Sequence, residues 1–186
     1  PNVTEYVYLS YIDAAASDQV TAIAVDASGN AYVAGWTANP NFPVSGGGAL
    51  GGAAAGGSDT RSFVAKLDSR GFVVFSVLLG GSASSRALGI ALTPQGQIVV
   101  SGIATSKGFP STPGAYSVTD STDQWFLLEL DAGASKVLFS ATGIGGSSIR
   151  FDAAGNIYMA GSSVGTNYPT TPGAFQTTFT QGHYCF

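Results

Sequence analysis

An all-β fold built from repeated four-stranded units is what this sequence predicts, on three observations. A segment recurs three times, apolar residues alternate with a period of two, and a glycine stands at each expected turn. The segment Asp26-Ala27-Ser28-Gly29-Asn30-Ala31-Tyr32-Val33-Ala34-Gly35 returns as Thr93-Pro94-Gln95-Gly96-Gln97-Ile98-Val99-Val100-Ser101-Gly102. It returns again as Asp152-Ala153-Ala154-Gly155-Asn156-Ile157-Tyr158-Met159-Ala160-Gly161. Phe42-Pro43, Phe109-Pro110 and Tyr168-Pro169 follow each copy at one constant distance. The unit is therefore about sixty residues long, in the range of repeat architectures.

Taken in order, residues 6–12 form the first expected element, an outer strand belonging to a preceding unit, and the segment 1–20 is assigned to it. Thr21-Ala22-Ile23-Ala24-Val25 and Ala31-Tyr32-Val33-Ala34 flank a Ser-Gly turn and predict a hairpin whose glycine supplies a positive φ. Residues 63–67 and 73–79 predict a second hairpin around Ser69-Arg70-Gly71. The same two hairpins recur at Ile98-Val99-Val100 and at Trp125-Phe126-Leu127-Leu128-Glu129-Leu130-Asp131 with Leu138-Phe139-Ser140. Residues 46–57, rich in Gly and Ala, read as a loop tip that lengthens the first unit. Four short strands per unit, apolar on both faces, describe a blade of a β-propeller. The boundaries are 21–80 and 81–143 for two complete blades and 144–186 for an incomplete one. The whole is a partial propeller, expected to be a segment of a longer chain.

Composition narrows the function classes. The chain has 186 residues, 45% of them hydrophobic, which excludes a disordered chain. Only 10% are charged, and 26 are Gly, so the surface is Ser, Thr, Gly, Asn and Gln rather than Lys and Glu. Seven basic residues, no two adjacent, against a net charge of −4 give no footprint for nucleic acid. No apolar run is long enough to span a bilayer. No signal segment stands before Pro1, so any targeting peptide is expected to have been removed or to lie upstream. Asn2-Val3-Thr4 is a glycosylation sequon, a pattern that often arises by chance.

The set of motifs resembles the SBBP family of bacterial propeller repeats. The residues that carry the resemblance are 26–35 with Thr37, Phe42-Pro43, 63–68, Phe75-Ser76 and Gly80-Gly81-Ser82. It covers nearly the whole chain in register. It implies a secreted or surface-exposed bacterial protein with about seven blades, and it brings no catalytic residues. The Thr93-Pro94-Gln95 turn and the glycine-rich insertion depart from the pattern.

Candidate chemistry is sparse. Gly161-Ser162-Ser163-Val164-Gly165 fits the G-x-S-x-G pattern, but a nucleophile elbow requires a strand turning into a helix and a partner histidine. His183 is the only histidine. Its spacing from Cys185, the only cysteine, would put both side chains on one face of a strand, yet two ligands do not make a zinc site. Asp26 with Asn30 and Asp152 with Asn156 offer oxygen ligands of the kind calcium takes, but an Asp-capped turn accounts for them. Asp68 and Asp131, beside Lys66 and Glu129, read as strand-end turn residues. The recurring aromatics read as core. Trp36 is the exception, because the other units place Ile103 and Ser162 there, and it is the candidate for surface recognition.

The function expected is a non-catalytic secreted or cell-surface scaffold that meets protein or glycan partners, or a structural subunit of an extracellular assembly. No cofactor, metal or catalytic residue is expected. The alternative is a propeller enzyme, a hydrolase or lyase, with its active site in blades absent from this chain. The innermost strands, with Ala22, Ile23, Ala24, Gly89, Ile90 and Ala91, offer that chemistry no groups.

Overall fold

The computed structural model describes residues 7–12, 17–45, 48–50, 60–81, 84–104, 109–117, 124–163, 168–177 and 184–185. Among these the fold is all-β and contains no helix.

The first sheet contains β1 (Asp18–Val25), β2 (Ala31–Thr37), β4 (Arg61–Leu67) and β5 (Val73–Leu79), antiparallel in that order, with β3 (Ala49–Leu50) added in parallel on the outer edge of β5. The second contains β6 (Ser85–Leu92), β7 (Ile98–Ala104), β8 (Gln124–Leu130) and β9 (Val137–Thr142), in the same order. The third unit supplies the hairpin of β10 (Ser148–Phe151) and β11 (Ile157–Ala160), followed by β12 (Ser162–Ser163) paired with β13 (Tyr184–Cys185). The register of this last pair, Ser162 with Cys185, repeats that of Trp36 with Ser62 and of Ile103 with Trp125.

The turns form for the reason anticipated. Gly29, Gly96 and Gly155 hold φ near +80°, a region closed to most side chains. In each, the residue three positions earlier accepts the glycine N–H through its carbonyl.

The second sheet is apolar on both faces because it lies between the first sheet and the third unit. Tyr32, Ala34, Val64, Phe75, Val77 and Leu79 of the first sheet meet Ala87, Ile90, Ile98, Val100, Phe126 and Leu128 of the second in the main core. Ala91, Val99 and Leu127, on the opposite face of the second sheet, receive Ile149 and Met159 of the third unit. The first strands β1, β6 and β10 lie beside one another.

Three sequence expectations change. Residues 7–12 are not the outer strand predicted for 6–12: they join no sheet, because no described strand lies alongside to complete a ladder. Their side chains still pack, with Tyr8 and Ile12 against Val33, Phe42, Phe63 and Leu67. The first strand begins at Asp18 rather than Thr21, since a β-bulge at Thr21 lets pairing with β2 continue past it. A bulge at Leu88 repeats this in the second sheet. The loop at 46–57 is in part a strand: Gly48 O accepts from Leu78 N at 3.1 Å and Leu50 O from Gly80 N at 3.2 Å. The remainder of that loop lies outside the described residues.

The outer edges of β5 and β9 are met by the same device in the first and second sheets. Ser45 N donates to Ser76 O at 2.8 Å, and Thr112 N donates to Ser140 O at 2.9 Å. The hydroxyls of Ser45 and Thr112 accept in turn from Ser76 N and Ser140 N.

Candidate functional site

Carboxylates come first, because they are what acid–base chemistry or a cation would need. Asp26 Oδ1 accepts from the N–H groups of Ser28 and Asn30, both at 2.9 Å, and its Oδ2 accepts from Asn30 Nδ2 at 2.7 Å. Asp152 repeats this with Ala154, Asn156 N and Asn156 Nδ2 at 2.8–2.9 Å. Asp68 and Asp131 cap the second hairpins through Arg70 N and Phe72 N, and through Ser135 N and Lys136 N. Donated hydrogen bonds favour the ionised form and hold all four carboxyls below the ordinary value of 3.8. The leading cause is the Asn30 side chain for Asp26, the Asn156 side chain for Asp152, Phe72 N for Asp68 and Lys136 N for Asp131. Each carboxylate is thus committed to its own turn. No cluster of three or more metal-ligating side chains occurs among the described residues.

Where the turn departs from the pattern, its surroundings change with it. In the first unit Lys66 lies 3.9 Å from Asp26 and 4.7 Å above the Tyr32 ring. In the second, Thr93 and Val99 replace Asp26 and Tyr32, and Glu129 replaces Lys66. Thr93 Oγ1 there accepts from Gln97 N at 3.1 Å, the same cap made by a hydroxyl. A cavity of about 320 Å³ opens beside it, lined by Thr93, Gln97, Glu129, Phe139 and Ile157.

Trp36 lies half-buried at the seam between the first two sheets, with the Arg86 guanidinium 4.9 Å from its ring centre. The seam is otherwise polar. Ser85 N donates to Thr60 O at 2.9 Å, and Ser85 Oγ accepts from Ser62 N at 3.0 Å. Thr21 Oγ1 at the first bulge donates to Ala87 O at 2.7 Å and lies 3.1 Å from Ala34 O. The next seam has Ser101 Oγ on Gly146 O and Trp125 Nε1 donating to Ser162 O at 2.8 Å.

The other candidates are now placed. Ser162 and Ser163 belong to β12, so the G-x-S-x-G match is extended strand where it is described, without the strand-to-helix turn of an elbow. His183, Val164, Gly165 and the Asn2 sequon lie outside the described residues, and of Cys185 only the backbone is described. The recurring aromatics divide. Tyr32, Phe42, Phe63, Phe75, Phe109, Trp125 and Phe126 are buried, with Phe42 on Phe63 at 4.7 Å and Phe109 on Phe126 at 4.2 Å. Tyr158 and Phe175 of the third unit are exposed, and so is Tyr116 of the second.

Sequence reasoning missed three charged groups on the innermost strands: Asp18 on β1, Arg86 on β6 and Arg150 on β10. Aligning the units marks them, since Arg150 stands where the other units have Ala24 and Ala91. Arg150 borders a cavity of about 290 Å³ with Thr21, Leu88, Ser147 and Ser148, at the place where the three first strands meet.

Comparison with known families matches residues 7–43 to the beta-propeller repeat family, SBBP. No curated protein matches the chain.

Proposed function

We propose, from a chain whose residues 7–43 are a beta-propeller repeat of the SBBP family, a non-catalytic scaffold of the bacterial cell surface or exterior. It meets protein or glycan partners or serves as a structural subunit, through two propeller blades at 21–80 and 81–143 and part of another at 144–186. The observation that supports the reading is the commitment of four carboxylates, Asp26, Asp68, Asp131 and Asp152, to their own turns, which makes them structural caps and not a general acid/base pair. Trp36 and Arg86 at the seam are the recognition element, an aromatic face and a cation at one rim. The alternative, a propeller enzyme, draws support from Arg150 and the cavity at the inner strands.

The test has two arms. The purified chain is assayed for turnover on panels of ester, glycosidic and uronide substrates, and its melting is followed with calcium and with chelator. No turnover and an unchanged melting temperature are expected. Turnover lost in Arg150→Ala would establish the enzyme instead, and a cation-dependent rise in melting temperature would refute the cation-free scaffold.

A further inference from the structure

The first two units differ at four equivalent positions that change together. In the first unit Asp26, Asn30, Tyr32 and Lys66 form one set. Asn30 Nδ2 donates to Asp26 Oδ2 at 2.7 Å, and the Lys66 ammonium stands 3.9 Å from that oxygen and 4.7 Å above the Tyr32 ring. The ring is 4% exposed and meets Phe75 edge-on, with centres 6.4 Å apart, in the core between the first two sheets. At the same four places the second unit has Thr93, Gln97, Val99 and Glu129, while Phe139 keeps the position of Phe75.

Shape follows from the loss of the ring. Val99 ends where the Tyr32 ring begins, and the second unit has a cavity of about 320 Å³ there, at the small end of the range for organic ligands. Its apolar walls are Val99, Leu127 and Phe139 of the second sheet with Phe151 and Ile157 of the β10–β11 hairpin, two elements that pack on each other. Phe139 has no ring partner among the described residues.

Charge changes in the same place. In the first unit a carboxylate and an ammonium offset each other. In the second, Thr93 is neutral, Glu129 stands where the ammonium was, and no Lys, Arg or His lines the cavity. Glu129 is half-buried and makes no ion pair or side-chain hydrogen bond among the described residues. A carboxylate held against apolar walls without a partner favours a cation over any neutral or anionic occupant.

We propose that this cavity binds a small organic cation with an aromatic body, an arylalkylamine. Its ring takes the place that Tyr32 takes in the first unit, edge-on to Phe139, and its ammonium donates to Glu129. Thr93 Oγ1 and Gln97 Oε1, 3.3 Å apart, offer further acceptors beside it. The ligand thereby restores the two things the second unit lacks, a ring and a cation.

The test is a ligand-observed NMR titration of the chain with 2-phenylethylamine. Two probes accompany it: 3-phenylpropanoate, of similar shape and opposite charge, and butylamine, which has the charge without the ring. Wild type should bind 2-phenylethylamine at millimolar concentration or below, butylamine at least about tenfold more weakly, and 3-phenylpropanoate not at all. Glu129→Gln, which keeps the shape and removes the charge, should weaken 2-phenylethylamine at least about tenfold. Val99→Tyr, which puts the ring back, should abolish binding. No binding of 2-phenylethylamine to wild type, equal binding of 3-phenylpropanoate, or an affinity unchanged in Glu129→Gln overturns the proposal. Should Val99→Tyr not fold, Glu129→Gln decides alone. The site is separate from the scaffold reading: turnover in the substrate panels ends that reading without touching this one.

Discussion

Gly102 occupies a position where no other residue fits, and the reason is space. A Cβ built there would lie 2.0 Å from Arg86 O and 2.8 Å from Ala87 Cα, because the bulge at Leu88 carries the β6 backbone across β7. Both obstacles are main chain, so Gly102→Ala must part the two strands by more than an ångström. Overpacking of this kind costs about 1–3 kcal/mol, and a ladder hydrogen bond lost with it about 1 kcal/mol more. Gly35, whose added Cβ would meet Gln19 O at 1.9 Å, should behave alike. Gly96 is the control. It has φ +83° and no atom within 4 Å of a built Cβ, so Gly96→Ala forces only the left-handed backbone, about 1–2 kcal/mol. Urea unfolding of the three variants, with the slope checked for constancy, should order Gly102→Ala and Gly35→Ala below Gly96→Ala. Asn should be tolerated better at 96 than at 102. A Gly102→Ala midpoint indistinguishable from wild type would refute the close-approach argument.

Further outcomes are expected. All four turn carboxyls have folded values below 3.8, so the stability they contribute is fully present above that pH and is lost as pH falls through the lower folded values. Urea midpoints should be level from about pH 5 to 7 and drop below about pH 4. The drop should be smaller in Asp152→Asn, and an equal drop in that variant would contradict the assignment. Phe126, fully buried and stacked on Phe109, should cost about 3–5 kcal/mol when changed to Ala, read by chemical denaturation. Thr21→Val removes the hydroxyl donated to Ala87 O across the first seam and should cost about 1–2 kcal/mol. A neutral Thr21→Val would place the strength of that seam in its apolar contacts alone.

Much of this fold was legible because the repeat compares the chain with itself. Asp26 and Asp152 read as turn caps from sequence, and both carboxylates make the expected bonds. The buried fate of Phe42 and Phe109 followed from their recurrence. Other features have no local signal. The strand at Ala49–Leu50 exists because the β5 edge is there to receive it, and a stretch of Gly and Ala announces no such partner. Residues 7–12 have a strand's alternation but no ladder, since pairing depends on a neighbour and not on pattern. Trp36 was singled out as an unmatched aromatic. Its partner Arg86 comes from the next sheet, across a gap in sequence that no motif spans.

The contact that Ser45 and Thr112 make with the outer edges bears on how such a chain comes to exist. Each of these residues belongs to the unit whose edge it meets, joined to it by the loop between second and third strands. A gene that duplicates one unit therefore copies the strand and its cover together, and the new sheet enters the protein already protected from promiscuous pairing.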